Sequence, residues 1–172
     1  MLTYMALDGE PQAYRSAQLK ALQAYFAASA AQPFANLPSN AMSPSNNARG
    51  IDLIINSYGN ASIFAGYDPR SFLRQLYSKG FHSGSFKRLF LVASHRIGAN
   101  TEPATITSFA LNFKKTLVSV GIDSELYATR GSVICDFTEI ITQGQPLPVV
   151  TRTVVKAPDG EYPLGAAMLL IE

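Results

Sequence analysis

Cysteine and histidine are scarce in this 172-residue chain. It has one cysteine, Cys135, which excludes an internal disulfide framework. It has only two histidines, which makes a zinc site or other metal site unexpected. The aspartates do not stand at metal-ligand spacing either: Asp52, Asp68, Asp123 and Asp136. Neither common type of glycine-rich phosphate loop is present, so we expect no metal and no cofactor.

Charge is also scarce, at 15% of the chain against 47% for hydrophobic residues. The formal net charge of +2 is too small to indicate nucleic acid or an anionic membrane as a partner. A low charge content predicts a large buried fraction or a surface that meets a partner. No apolar run approaches the roughly 20 residues that span a bilayer, and we expect no membrane span.

The beginning of the sequence lacks the basic and long apolar segments of a secretory signal. We therefore expect a cytoplasmic protein, or one that is secreted by a system that needs no signal peptide. The chain length fits one domain, over residues 1–172, with a core that needs no cross-links. A stretch rich in Pro, Asn and Ser predicts a loop over about residues 33–50.

Short apolar runs alternate with helical patterns over most of the chain. Strands are predicted over residues 2–7, 51–56, 89–93 and 124–129. Helices are predicted over about residues 11–31, 69–78 and 105–120. The last helix is expected to bury one side, which carries Phe109, Phe113, Leu117 and Val120, and to end at Gly121. This alternation predicts a mostly parallel sheet with right-handed crossovers.

The pattern becomes β-rich after residue 131. Residues 132–142 alternate loosely, residues 144–148 are predicted to form a turn, and residues 149–155 have a period of two. A last strand is expected within residues 162–171. This pattern predicts a β-hairpin over about residues 132–156, which we expect to act as a flap over the carboxyl edge of the sheet.

Polar residues follow both buried apolar runs. Residues 57–60 follow the first run and residues 94–96 follow the second. Ligands and catalytic groups gather at the carboxyl ends of parallel strands. The candidate site residues at these ends are Tyr58, Gly59, Asn60, Ser94 and His95.

Three motifs, Ser57-Tyr-Gly59, Ala65-Gly-Tyr-Asp68 and Val92-Ala-Ser94, occur in this order before a helix and a strand. The order resembles the caspase-like clan of cysteine peptidases, and most closely the self-cleaving cysteine protease domains of large RTX and clostridial bacterial toxins. In that family a buried strand carries the general-base histidine at its end, the next buried strand carries the nucleophilic cysteine, and a β-hairpin flap comes last. The resemblance covers roughly residues 51–156. It implies a bacterial, toxin- or effector-related protein with a three-layer α/β/α, Rossmann-like core, a mostly parallel sheet and a C-terminal β-hairpin.

The departures from this pattern concern its two decisive positions. Tyr58 stands where the family has its catalytic histidine, and Ser94 stands where it has its cysteine. A phenol with a pKa of about 10 is a poor base at neutral pH, and a serine hydroxyl is far harder to ionise than a thiol. The replacements predict a degenerate, non-catalytic member of the clan that acts as a protein- or peptide-binding module or effector module. In this interpretation Tyr58, Ser94, His95 and Arg130 form the mouth of its cleft, and Arg130 lies where a caspase-like pocket could bind an acidic group.

Three alternatives stay open. The first is an active hydrolase or peptidase that uses Ser94 as its nucleophile, which needs His95 or Tyr58 to assist as a base. The second is a doubly wound domain that binds a small molecule at its switch point. The third is an assembly protein whose apolar C-terminal segment forms a homo-oligomer interface. Cys135 is interpreted as an inert, buried cysteine within a strand.

Overall fold

The computed structural model describes residues 3–5, 12–28, 30–44, 52–96 and 98–172. Three α-helices are described: α1 (Gln12–Phe26), α2 (Pro69–Tyr77) and α3 (Thr107–Ser119). The strands described are β1 (Thr3–Met5), β2 (Ala30–Ala31), β3 (Asp52–Ser57), β4 (Arg88–Ala93), β5 (Glu125–Thr129), β6 (Ser132–Thr142), β7 (Gln145–Ala157), β8 (Gly160–Tyr162) and β9 (Met168–Ile171).

The chain is a mixed α/β protein with two sheets. The larger sheet has the strand order β2-β1-β3-β4-β5-β9, and the smaller sheet has the order β6-β7-β8. In the larger sheet β1 to β5 run parallel, whereas β9 pairs antiparallel with β5 at the edge. Parallel strands need crossover connections, and the helices between β3, β4 and β5 supply them.

Strand periodicity divides the core between the two faces of the larger sheet. Successive side chains of a strand point to opposite faces. Leu53 and Ile55 of β3 therefore join a large cluster with the buried side chains of α2 and α3. Ile54 of β3 and Val92 of β4 join a smaller cluster with residues of α1, β6 and β7.

The helices that follow β3 and β4 begin and end near their predicted boundaries. The side chain of Asp68 caps α2 by accepting hydrogen bonds from the backbone N–H groups of Arg70 and Ser71. Helix α3 buries Phe109, Phe113 and Leu117 as predicted, but Val120 is 49% exposed. The expectation for Val120 is wrong because α3 ends at Ser119, and Gly121, with φ of 75°, turns the chain away.

Two predicted boundaries are wrong. Helix α1 ends at Phe26 rather than near residue 31, because Ala27 adopts a positive φ and Ala30–Ala31 pair with β1 as a strand. The turn predicted over residues 144–148 is formed by Gln143 and Gly144 instead. Of the loop predicted over residues 33–50, residues 45–50 lie outside the described residues, and the described part contains a 3₁₀ turn over Phe34–Asn36.

Strands β6 and β7 pair antiparallel from Ser132/Lys156 to Thr142/Gln145, and we call this pair the ribbon. At its base, Val133 and Val155 are fully buried against the larger sheet. Towards its end, Ile141 is 80% exposed. The ribbon therefore begins within the core and extends into solvent. Among the described residues, no helix is both long enough and apolar enough to cross a membrane.

Candidate functional site

The carboxyl ends of β3 and β4 meet at one edge of the larger sheet. Ser57 pairs with Ala93, and the backbone N–H of Ser94 donates a 2.8 Å hydrogen bond to the carbonyl oxygen of Ser57. Tyr58 and Ser94 each follow one of these strand ends. The structure thus places these two predicted site residues at the same edge, next to each other along the sheet.

Ser94 lies in a small buried set of neutral polar side chains, which we call the polar cluster: Gln18, Asn56 and Ser94. The Ser94 Oγ accepts hydrogen bonds from Gln18 Nε2 at 2.7 Å and from Asn56 Nδ2 at 2.5 Å. Their relative exposures are only 7%, 6% and 7% for Gln18, Asn56 and Ser94. Asn56 Nδ2 also donates to the carbonyl oxygen of Val92 at 3.0 Å, which fixes the orientation of that amide.

The polar cluster does not activate the Ser94 hydroxyl. A serine nucleophile needs a base within hydrogen-bond distance, and the two amide nitrogens that reach its oxygen are donors that cannot take a proton. Among the described contacts, none joins the His95 imidazole to Ser94. The backbone N–H of His95 instead donates to the carbonyl oxygen of Val133, which joins this edge to the ribbon. The polar cluster therefore holds α1 to the ends of β3 and β4.

The Tyr58 ring is part of a cation–π contact. The guanidinium carbon of Arg96 lies 4.7 Å from the centroid of this ring. The carbonyl oxygen of Tyr58 accepts a 2.9 Å hydrogen bond from the backbone N–H of Ala65. These contacts pack Tyr58 at the start of its loop.

Gly59 and Asn60 shape the loop after β3. A Cβ at Gly59 would lie 2.8 Å from side-chain carbons of both Ile106 and Phe64, so only glycine allows this close packing. The side-chain oxygen of Asn60 accepts hydrogen bonds from the backbone N–H groups of Ser62 and Ile63 at 2.9 and 3.0 Å. Both residues are predicted to contact a partner. The described hydrogen bonds of Asn60 lie within the loop, and Gly59 packs against Phe64 of the loop and Ile106 at the start of α3.

Arg130 directly follows β5, and its described contacts are with Tyr162 and Ala167. Its guanidinium carbon is 4.4 Å from the centroid of the Tyr162 ring. Its backbone N–H donates to the carbonyl oxygen of Ala167 at 2.9 Å. No described contact joins Arg130 to Tyr58, Ser94 or His95.

The sequence-based interpretation missed two of the three members of the polar cluster. Asn56 is an uncharged polar residue that directly follows three apolar residues of a predicted buried strand, and this is a signal for a buried hydrogen-bonded role. Gln18 had no comparable signal, because a glutamine in an Ala-rich helix usually faces solvent.

Cys135 lies near the base of the ribbon and is opposite Thr153. Burial raises the pKa of the Cys135 thiol, and a 3.7 Å hydrogen bond with the Thr153 hydroxyl opposes that rise. A raised pKa means less thiolate at neutral pH and a less reactive sulfur.

Across the described ranges, no three His, Cys, Asp or Glu side chains gather closely enough to hold a metal ion.

An open groove of about 530 Å³ lies between α1 and the outer half of the ribbon. Small side chains of α1, including Ala13, Ala17 and Ala21, form one wall. Ile140, Leu147 and Val149 of the ribbon form the other wall, and all three are exposed. This groove and the ribbon beside it form an exposed apolar surface of the kind that contacts partners.

Comparison with known proteins adds no relative to this geometry: no protein-family model, no curated protein and no solved structure matches the chain.

Proposed function

We propose that this chain is a degenerate, non-catalytic member of the caspase-like clan that binds a protein or peptide. The observation that carries the proposal is the state of Ser94, whose Oγ is buried and accepts hydrogen bonds from two side-chain amides. A hydroxyl held in this way has structural use, and it lacks the base that nucleophilic attack would need.

Element order supports the caspase-like part of the proposal. The order β3, α2, β4, α3 and β5, followed by the ribbon, is the order that the resemblance implies. Helix α1 packs on one face of the larger sheet and α2 and α3 on the other, which agrees with a three-layer core. In this proposal the ribbon corresponds to the flap of the bacterial toxin domains, and the protein acts as an effector-type module.

Exposed apolar side chains support the binding part. Ile140, Ile141, Leu147 and Val149 of the ribbon are 49%, 80%, 43% and 39% exposed. Large apolar side chains gathered on one projecting element mark an interaction surface more often than side chains scattered singly. The proposal therefore places partner binding on the ribbon, at some distance along the chain from the Ser94 position.

The catalytic state of Ser94 can be tested by intact-mass measurement after treatment with a broad fluorophosphonate probe. We expect no adduct on the folded protein, because the hydroxyl is buried and has no base. Ser94→Ala serves as the matched control, since it removes the hydroxyl alone. A single adduct on the wild-type protein that disappears in Ser94→Ala would overturn the proposal in favour of an active hydrolase.

A further inference from the structure

Exposed sheet edges are hazardous because their unpaired N–H and C=O groups attract other strands. Most edges in the described part of this chain are very short. Strand β2 has two residues, β8 has three and β9 has four. Short edge strands offer too few hydrogen bonds to hold another chain. The ribbon is different, because β6 has 11 residues and β7 has 13.

The turn of the ribbon defines which backbone groups face outward. Gln143 and Gly144 have φ of 51° and 76°, as in a two-residue type I′ turn, which makes Thr142/Gln145 a hydrogen-bonded pair. Hydrogen-bonded and non-hydrogen-bonded pairs then alternate along the ribbon. The pairs Ile141/Pro146 and Glu139/Pro148 are therefore non-hydrogen-bonded, and the backbone groups of these four residues point away from the partner strand.

Proline protects one edge of the ribbon. Pro146 and Pro148 stand where a backbone N–H would otherwise point outward from β7, so they remove donors from that edge without loss of a ribbon hydrogen bond. The edge of β6 has no such protection. Phe137, Glu139 and Ile141 all keep their outward N–H groups, and among the described residues no strand pairs with this side of β6 beyond Val133.

We propose that the free edge of β6, from Phe137 to Ile141, binds an extended segment of a partner protein as an added strand. This inference rests on the proposed binding function and names its surface and its class of partner. The segment adds backbone hydrogen bonds to the outward N–H and C=O groups of Phe137, Glu139 and Ile141. Every second residue of the segment is apolar, and these side chains lie on the same face of the ribbon as the exposed side chains of Ile140, Leu147 and Val149 and pack beside them.

Charge favours a different protein over a second copy of this chain. Glu139 is exposed at the middle of the free edge, and one of its oxygens accepts a hydrogen bond from the Tyr14 hydroxyl. If two β6 strands paired antiparallel about their exposed centre, Glu139 would stand opposite its own copy, and like charges directly opposite are unfavourable. A lysine or arginine opposite Glu139 would be favourable for the same reason. The partner segment is thus extended, alternately apolar, and basic at its centre.

The probe for this inference is an 11-residue peptide of alternating threonine and valine with capped ends and a central lysine, labelled for fluorescence anisotropy. A second peptide differs only in a central glutamate. The protein variants are Ile141→Pro, which removes one outward N–H as Pro146 does on β7, and Ile141→Thr, which keeps it. Glu139→Lys reverses the charge of the edge and leaves its backbone unchanged.

We expect the lysine peptide to bind the wild-type protein and Ile141→Thr, and to bind Ile141→Pro at least about tenfold more weakly. Glu139→Lys should prefer the glutamate peptide, and this charge reversal tests the edge even if Ile141→Pro does not fold. Amide NMR shifts on binding should be largest at Phe137, Glu139 and Ile141.

Three results would overturn the inference. One is the absence of binding at about 1 mM peptide. Another is binding that neither Ile141→Pro nor Glu139→Lys changes, which would keep a peptide-binding function but move it to another surface. The third is a wild-type dimer in sedimentation that Ile141→Pro dissociates, which would assign the edge to a second copy of the chain. Failure of the non-catalytic part of the proposed function is separate from all three, because it would appear as an adduct on Ser94.

Discussion

The polar cluster and the outer half of the ribbon are joined through the base of β6, yet their polar groups differ in burial and in hydrogen bonding. Ser94, Asn56 and Gln18 are buried, and their polar atoms bond to one another. The edge of β6 is exposed, and its outward backbone groups have no strand partner among the described residues. Satisfied buried groups stabilise a fold, whereas unpaired exposed groups can take a partner. The difference moves the proposed function from the strand ends to the ribbon.

The junction between these two regions gives the largest expected effect. A Cβ at Gly131 would lie against the carbonyl oxygen of Lys156, 2.6 Å from its carbonyl carbon and 2.8 Å from the Cα of Ala157. These are backbone atoms that cannot move aside without separating β6 from β7. We expect Gly131→Ala to lower the free energy of unfolding by about 4 kcal/mol in urea titrations.

Gly66→Ala is the matched control for Gly131→Ala. Gly66 has φ of 81°, and a Cβ added there would have no atom within 4 Å, so only backbone strain of about 1 kcal/mol is expected. Equal losses in the two variants would show that the close approach at Gly131 does not hold the ribbon to the body.

The second expected effect is on the polar cluster. Asn56→Asp removes the amide that donates to Ser94 Oγ and to the Val92 carbonyl oxygen, and it places a carboxylate against that carbonyl oxygen, which can only accept. We expect a loss of about 3 kcal/mol in the free energy of unfolding at pH 7. Burial would raise the folded-state pKa of the new carboxyl above its unfolded value of about 3.9. The loss should therefore be small below a pH of about 3.9 and grow as pH rises through the folded-state pKa.

Asn60→Asp makes the same chemical change at an exposed site. There the side-chain oxygen accepts two backbone N–H groups, and a carboxylate can accept them equally well. We expect a change within about 0.5 kcal/mol at pH 7. If Asn56→Asp were equally tolerated, the polar cluster would be open to solvent, and Ser94 would have to be reconsidered as an accessible group.

Regular elements with strong periodicity could be predicted from this sequence. The apolar runs at β3 and β4, the Asp68-Pro69 start of α2 and the Gly121 end of α3 each have a local physical cause, and the structure confirms each of them. The predicted helix α1 was too long because alanine favours helices and the sequence is Ala-rich up to residue 31. In the structure Ala30–Ala31 pair with β1, which is a tertiary effect that local propensity does not contain. Pro146 and Pro148 indicated a turn, but both lie within β7. The register of the ribbon places them where a backbone N–H would point outward, so their missing N–H groups break no ribbon hydrogen bond.

The candidate site could be predicted only as a location. Functional residues gather at the carboxyl ends of parallel strands, and this rule placed Tyr58 and Ser94 at neighbouring strand ends. The register of β3 and β4 agrees with that placement. Their chemistry depends on contacts made across long sequence distances. Gln18 reaches Ser94 from α1, and Arg96 folds back over Tyr58. No spacing along the chain carries this information.

The smallest expected effect concerns one contact between the ribbon and α1. The Tyr14 hydroxyl on α1 donates a 2.9 Å hydrogen bond to Glu139 Oε1 on β6, and the Tyr14 ring packs edge-on against Phe137. This bond and the nearby negative charge raise the pKa of Tyr14 above its ordinary value of 10.0. Glu139→Gln should lower that pKa towards 10.0, because a neutral amide stabilises the protonated phenol less than a carboxylate does.

The titration of Tyr14 can be followed by NMR of ring-labelled tyrosine, with Glu161→Gln as the control. Glu161 has the same charge but bonds to Arg152 rather than to Tyr14, so its loss should leave the Tyr14 titration unchanged. If Glu139→Gln also left it unchanged, the ribbon would not rest on α1 through this bond. The position of the free edge of β6 would then depend on the Tyr14–Phe137 ring contact and on the buried base of the ribbon instead.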